Sequence, residues 1–408
     1  MQQAELIPHL FRTEFRKITA VLCKLFGIGH IGIAEDLASE TFLAALETWS
    51  YNGIPENPTA WLYLVAKNKA RNYFIRNKVF AEKISPQLKY SGEREEEITI
   101  DLSEENISDS QLQMLFAICH PAIPSEAQVG LALRILCGFG IDEIANAFLT
   151  NKETINKRLY RAREKLRQEK VAIEFPGNQE INKRLETVLA TLYLLFSEGY
   201  YSGSRDSIMR KDLCLEAMRL NRLLIDNRQT CLPEVQALYA LMCFQVSRFE
   251  ARKNENGEFI LYQDQDESLW DQDLIASGVY YLHEASRGNK ISKYHLEAGI
   301  AYWYTIKADT KEKWENILQL FNLLLQVEYS PVAALNRTYA LSKVNGREEA
   351  IREAEKLNLA GSHFYFTLLG ELYSHSDRDR ARLNFQKAIA LAKTATDKQT
   401  IQKKLDAL

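Results

Sequence analysis

Proline and glycine are scarce in this chain, at 9 and 18 of 408 residues. Few breakers, with abundant Leu, Ala, Glu, Lys and Arg, exclude a collagen-like or linker-rich chain and predict a mostly helical one. There is no C-x-x-C pair; Cys23, Cys119, Cys137, Cys214, Cys231 and Cys243 are scattered. That spacing fits buried thiols better than a disulfide framework, and Cys119-His120 has no second pair at zinc spacing. Reduced thiols in a cytoplasmic protein are expected. No run of about 18 apolar residues occurs, and Arg12 interrupts the first apolar stretch, so neither a membrane span nor a signal peptide is expected. The P-loop, the dinucleotide fingerprint, H-E-x-x-H and G-x-S-x-G are all missing. No enzyme activity, metal or cofactor is therefore expected, and the acidic "DQDESLWDQD" reads as helix caps and surface.

At this length two or three domains are expected. The net charge of −3 says nothing by itself; its distribution does. The first segment, 1–80, reads as helices broken at Gly27-Ile28-Gly29 and around Asn52 to Pro55. Ala38, Phe42, Ala45, Leu46 and Trp49 recur as one apolar helical face. The next helix has Trp61, Leu64 and Val65 on its expected buried side and is basic through Lys67, Lys69, Arg71, Arg76 and Lys78. A linker, 81–106, follows. From Leu88 to Asn106, Glu93, Glu95, Glu96, Glu97, Asp101, Glu104 and Glu105 oppose only Lys89 and Arg94. So acidic and apolar-poor a stretch is expected to be flexible.

The segment 107–172 carries the clearest motif. "GIDEIANAF" is a short helix, "LTN" a tight turn, and "KETINKRLYRAREKLRQ" a second helix with Ile155, Leu159, Ala162 and Leu166 at helical spacing. Two short helices joined by three residues read as helix-turn-helix. Lys152, Lys157, Arg158, Arg161, Arg163, Lys165, Arg167 and Lys170 oppose Glu153, Glu164 and Glu169, a net of +5. The face opposite the apolar stripe offers Asn156, Lys157 and Tyr160, polar groups of the kind that reach base edges in a major groove. A solvated basic helix explains the charge alone; the turn spacing favours DNA.

From 173 to 408 the chain turns to long Leu- and Tyr-rich helices. Tyr339 and Tyr373 are 34 residues apart, the period of tetratricopeptide helix pairs, whereas Ala350 and Ala381 are 31 apart. Repeat-like hairpins are expected, with Tyr193, Tyr200, Tyr201, Tyr280, Tyr281, Tyr302 and Tyr304 mostly in the core.

Two basic modules split by an acidic linker resemble the extracytoplasmic-function branch of the sigma-70 family. "AEDLASETFLAALETW" is similar to that family's region 2.2, "AWLYLVAKNKARNYFIRNK" to its regions 2.3 and 2.4, and "IDEIANAFLTNKETINKRLYRAREKLR" to its region 4.2. "LYLLFSEGY" and "LYQDQDESLWDQDLIASG" resemble the tetratricopeptide-like C-terminal extension of one subgroup. The resemblance implies an all-α protein that directs core RNA polymerase to promoter DNA. It assigns polymerase docking, on the β′ clamp coiled coil, to Asp36, Leu37, Glu40, Thr41 and Phe42, with Phe42 equally readable as core. Ser39 stands where glutamine is common. It assigns −10 reading to Trp61, Asn68, Asn72, Tyr73 and Arg76, with Trp61 equally readable as core. It assigns −35 base reading to Asn156, Lys157 and Tyr160, and phosphate contacts to Thr154, Arg158, Arg161 and Arg163. Region 4 is expected on the β flap, and the extension is expected to act through protein contact, within the chain or with a partner, and not at a membrane. The competing reading is a helix-turn-helix regulator with a C-terminal sensing domain; it leaves the pattern from Ala34 to Lys78 unexplained.

Overall fold

The computed structural model describes residues 3–76, 100–148, 150–177, 180–200, 210–252, 260 and 262–408. Among them every regular element is helical. The chain divides into two compact units, Met1–Leu194 and Leu195–Leu408.

In the first unit, α1 (Gln3–Phe26), α2 (Ile31–Asn52) and α3 (Pro58–Arg76) fall where the sequence breaks predict. Gly27 and Gly53 sit at φ 83° and 79°, backbone that only glycine takes without strain. Phe11, Phe15 and Phe42 pack at 4.7 to 6.3 Å between ring centres. Trp49 meets Trp61 edge-on at 5.3 Å, and Phe26 stacks on Phe74 at 4.9 Å. These rings tie α1, α2 and α3 into one core. Two expected core residues lie outside it: Leu46 is 47% and Leu64 is 57% exposed. The buried side of α3 is instead Leu62, Ala66, Ala70 and Phe74, because α3 packs on both α1 and α2 through small residues.

The same unit continues with α4 (Glu104–Ile118), α5 (Ser125–Leu131, running into a π-helical turn, Ala132–Leu136), α6 (Ile141–Ala147) and α7 (Lys152–Gln168). The expected linker lies outside the described residues from 81 to 99. Its last residues are ordered: Ser103 caps α4, accepting from the Asn106 N–H, and Glu104 and Glu105 occupy the first helical turn. There carboxylates oppose the positive end of the helix, so these two acids start α4 three residues before the expected boundary. Helix α8 (Ile181–Tyr200) contains the division between units. Its first half is fastened to α4 and α5. Arg184 donates to the Phe116 carbonyl at 2.6 Å, and Thr191 donates to Gln128 at 2.7 Å. Gln128 in turn donates to the His120 and Ile123 carbonyls. The Cys119-His120 pair belongs to this packing. Cys119 is buried, its thiol pushed up to about 12 by desolvation, and His120 Nδ1 accepts the Ala122 N–H.

The second unit is a series of helices, α9 (Lys211–Asp226) to α18 (Ala395–Asp406). Helices α10 (Pro233–Val246) and α11 (Gln272–Ala285) approach closely enough that a Cβ on Gly278 would meet the Phe244 ring at 2.6 Å. Helices α14 (Pro331–Val344) with α15 (Arg347–Leu357), and α16 (His363–Tyr373) with α17 (Arg378–Leu391), are successive hairpins. Tyr339 and Tyr373 lie on their first helices, Ala350 and Ala381 on their second. Tyr373 ends α16 whereas Tyr339 lies within α14, so the two spacings differ. Of the expected core tyrosines, Tyr200 is buried, Tyr193, Tyr281, Tyr302 and Tyr304 are half-buried, and Tyr280 is exposed; Tyr201 lies outside the described residues. The polar outer edge of a tyrosine ring accounts for this: Tyr281 holds its hydroxyl against Arg222 at the surface. Lys313 is 1% exposed, donates to Tyr262 Oη at 2.8 Å, and lies near the rings of Tyr262, Tyr304 and Trp314. Burial lowers its pKa to about 8, with Asp309 opposing.

Candidate nucleic-acid interface

Helix α6 starts at Gly140, whose N–H donates to Glu143 at 2.8 Å, and Ile144 and Ala145 are buried. After the turn Asn151 caps α7, its side chain accepting the Thr154 N–H at 2.8 Å. Ile155, Leu159, Ala162 and Leu166 are buried, as their spacing predicts. That stripe fixes what the rest of α7 presents. Thr154, Asn156, Lys157, Tyr160 and Arg161 are exposed, Tyr160 by 67%. Lys157 is bridged to Glu153 at 2.6 Å, an exposed pair that water screens. Arg161 has no ion-pair partner among the described residues. Arg158 is half-buried over the Phe148 ring at 5.4 Å. A row of polar and cationic side chains on a rigid helix suits a groove with phosphates on either side.

Arg163 is placed differently from the other expected phosphate contacts. It is half-buried and donates through Nη2 to Glu35 of α2 at 2.9 Å. Arg134 donates through Nε to the same carboxylate at 2.6 Å. Next to them, burial pushes the Cys23 thiol up, the Glu35 carboxylate adds to the rise and Arg163 opposes it.

Helix α3 begins with the Asn57 side chain accepting the Ala60 N–H at 2.9 Å. Trp61, Asn68 and Asn72 share one stripe at i, i+7 and i+11. Trp61 is half-buried against Trp49, and both amides are exposed. The same stripe includes exposed Leu64, Arg71 and Ile75, which sequence reasoning assigned to the core, to general basicity, or not at all. Their signal was the position relative to Asn68 and Asn72, not hydropathy. Tyr73 turns the other way, edge-on to Phe26 at 5.5 Å. The side chain of Arg76 lies outside the described residues. Aromatic, amide and apolar groups beside a cation form a surface on which unstacked bases can rest.

The five expected docking residues of α2 divide. Asp36 and Glu40 are exposed, and Glu40 pairs with Lys69 of α3 at 3.1 Å. Leu37, Thr41 and Phe42 are buried, and the Thr41 hydroxyl donates to the Leu37 carbonyl at 2.8 Å. They face α1 because they share the stripe of Ala38, Ala45 and Trp49. The solvent face next to Asp36 and Glu40 carries Leu43 and Leu46 instead. No helix among the described residues is long and apolar enough to cross a membrane.

Residues 10–79, which span α1 to α3, match the family Sigma-70 region 2. Residues 184–286 match a family of unknown function, DUF6596. Over 386 residues the chain is 34% identical to the uncharacterized protein R00370 of Rhizobium meliloti (strain 1021), covering 93% of this chain and 90% of that one. No solved structure matches.

Proposed function

The chain belongs to the same family as the Rhizobium meliloti protein R00370 and carries a sigma-70 region 2, and from that premise we propose that it is an RNA polymerase sigma factor of the extracytoplasmic-function type. The observation that carries this reading is the region 2 match across α1, α2 and α3. Such a region implies core polymerase and promoter DNA as partners. In this reading Asp36 and Glu40, flanked by Leu43 and Leu46, dock on the polymerase β′ clamp. Trp61, Asn68 and Asn72 receive the −10 element as its bases leave the stack. Helix α7 reads the −35 element through Asn156, Lys157 and Tyr160, with region 4 on the β flap. The alternative, a helix-turn-helix regulator, accounts for α7 but leaves region 2 without a role.

The second unit, in this proposal, is a tetratricopeptide-like extension that regulates the sigma segments by protein contact. Successive hairpins offer surface to a peptide or protein.

Core polymerase, mixed with the full chain and passed over a sizing column, is expected to carry the chain with it. The complex is expected to open promoter DNA, read as permanganate reactivity of unpaired thymines. A chain that neither co-elutes with core polymerase nor supports opening overturns the reading.

A further inference from the structure

The Glu35 cluster joins α2 to the helix proposed to grip DNA. Glu35 is 6% exposed, so its charge needs partners. Among the described residues it has two, Arg134 and Arg163, and they are not equivalent. Arg134 is anchored a second time, donating through Nη1 to the Phe139 carbonyl at 3.2 Å. Arg163 reaches Glu35 through one nitrogen, and its buried Nε has no hydrogen-bond partner among the described residues. A guanidinium held at one corner of its fork is incompletely satisfied. If Arg163 leaves, Arg134 still neutralises Glu35, so the exchange strands no buried charge. The neighbouring Arg167 lays its aliphatic stem against Gly29, where a Cβ would come within 3.3 Å. One flank of α7 is therefore pressed on the turn at 28–30 while its base-reading face stays open.

We propose that Glu35 is an internal substitute for a DNA phosphate: its carboxylate occupies Arg163 in the free protein, and a backbone phosphate displaces it when α7 engages a duplex. A carboxylate and a phosphate offer a guanidinium the same pair of anionic oxygens. The competition lowers the affinity of the free chain for DNA without touching the residues that read sequence. It rests on the reading of α7 as a DNA-binding helix.

The test uses the full chain and a fluorescein-labelled duplex of arbitrary sequence, with binding read by anisotropy across a salt series. Glu35→Gln is expected to bind about tenfold more tightly, within the usual range of coupling between two equilibria. Its log–log salt slope should match wild type, because the Arg163–phosphate contact forms in both complexes and only the competitor is removed. Adding Arg163→Gln to Glu35→Gln should abolish the gain and lower the slope by about 0.9. Unchanged affinity in a Glu35→Gln protein that melts like wild type overturns the proposal. If Glu35→Gln does not fold, Glu35→Asp, which keeps a charge for Arg134 but shortens the reach to Arg163, should show the same gain at smaller amplitude. No gain there overturns the proposal equally. Arg161→Ala separates the two levels of the claim. If it weakens binding in every background while Glu35→Gln changes nothing, α7 binds DNA and the substitute-phosphate role fails. If no variant binds at low salt, the DNA reading of α7 fails and takes this proposal with it.

Discussion

Helices α2 and α7 are both amphipathic, yet α7 presents five of its seven expected contact residues to solvent and α2 hides three of its five. Helix α7 is so rich in charge that only Ile155, Leu159, Ala162 and Leu166 can be inside. A single narrow stripe leaves one solution for the rest. Helix α2 carries apolar or small residues around most of its circumference. Its core face is chosen by what α1 and α3 present, and that choice buries Leu37, Thr41 and Phe42 while Leu43 and Leu46 stay outside. Leu43 and Leu46 stand together on one exposed face, and it is a contiguous apolar patch, not a single exposed leucine, that marks a contact surface.

The largest test of the boundary concerns α8. Ending the chain at Ala172, where the sequence suggests region 4 stops, removes Ile181, Leu185, Val188 and Leu189 from their packing. At about 1.5–3 kcal/mol for each buried side chain, the first unit should lose more than about 5 kcal/mol. A chain ending at Tyr200 should melt cooperatively, and one ending at Ala172 should not, as followed by circular dichroism. Equal melting would detach α8 from the first unit and restore the boundary at 172. The next test acts on α2 itself. Phe42→Ala should cost about 3–5 kcal/mol in chemical denaturation. Leu46→Ala should change stability by no more than about 0.5 kcal/mol while weakening core polymerase binding. Were Phe42→Ala to leave stability intact and lose polymerase, the two faces of α2 would have to be exchanged.

The same contrast explains what was legible in the sequence. Gly27 and Gly53 punctuate α1, α2 and α3 because positive φ demands glycine, and that demand is local. The turn before α7 was legible as the three residues between two short apolar-periodic helices, and the Asn151 cap is an equally local signal that the sequence reading did not use. The pairing of Glu35 with Arg134 and Arg163 joins residues 99 and 128 positions apart. No periodicity encodes such a meeting, and Glu35 is buried while Asp36, the next residue, is exposed. Leu64 was misread because hydropathy was taken as burial, when Ala66 and Ala70 let α3 approach its neighbours with small residues. In the second unit the helices and the hairpin spacing were readable. The Lys313 cluster was not, since Tyr262, Tyr304 and Lys313 come from separate elements.

Within α7 the division between base reader and phosphate clamp sets the next effect. Lys157→Ala should change which −35 sequences are used, costing about 1–3 kcal/mol at the base it contacts. Transcription from a panel of −35 variants reads this as a reordering of promoters. If Lys157 only balances Glu153, to which it is bridged, every promoter falls or stays together.

Arg161→Ala is the smallest change and the sharpest control. Arg161 is exposed, forms no ion pair among the described residues, and lies on the face away from the Glu35 cluster. Its removal disturbs neither the core nor the contact with α2, so melting should be unchanged. A phosphate contact carries no sequence information. All promoters should therefore weaken by the same factor, and the log–log salt slope of binding should fall by about 0.9. Lys157→Ala should leave that slope nearly untouched while reordering promoters. The two substitutions lie about one helical turn apart on one surface. Promoter reordering by Arg161→Ala, with an unchanged slope, would move base reading around the helix toward Arg161 and displace Lys157 from the groove.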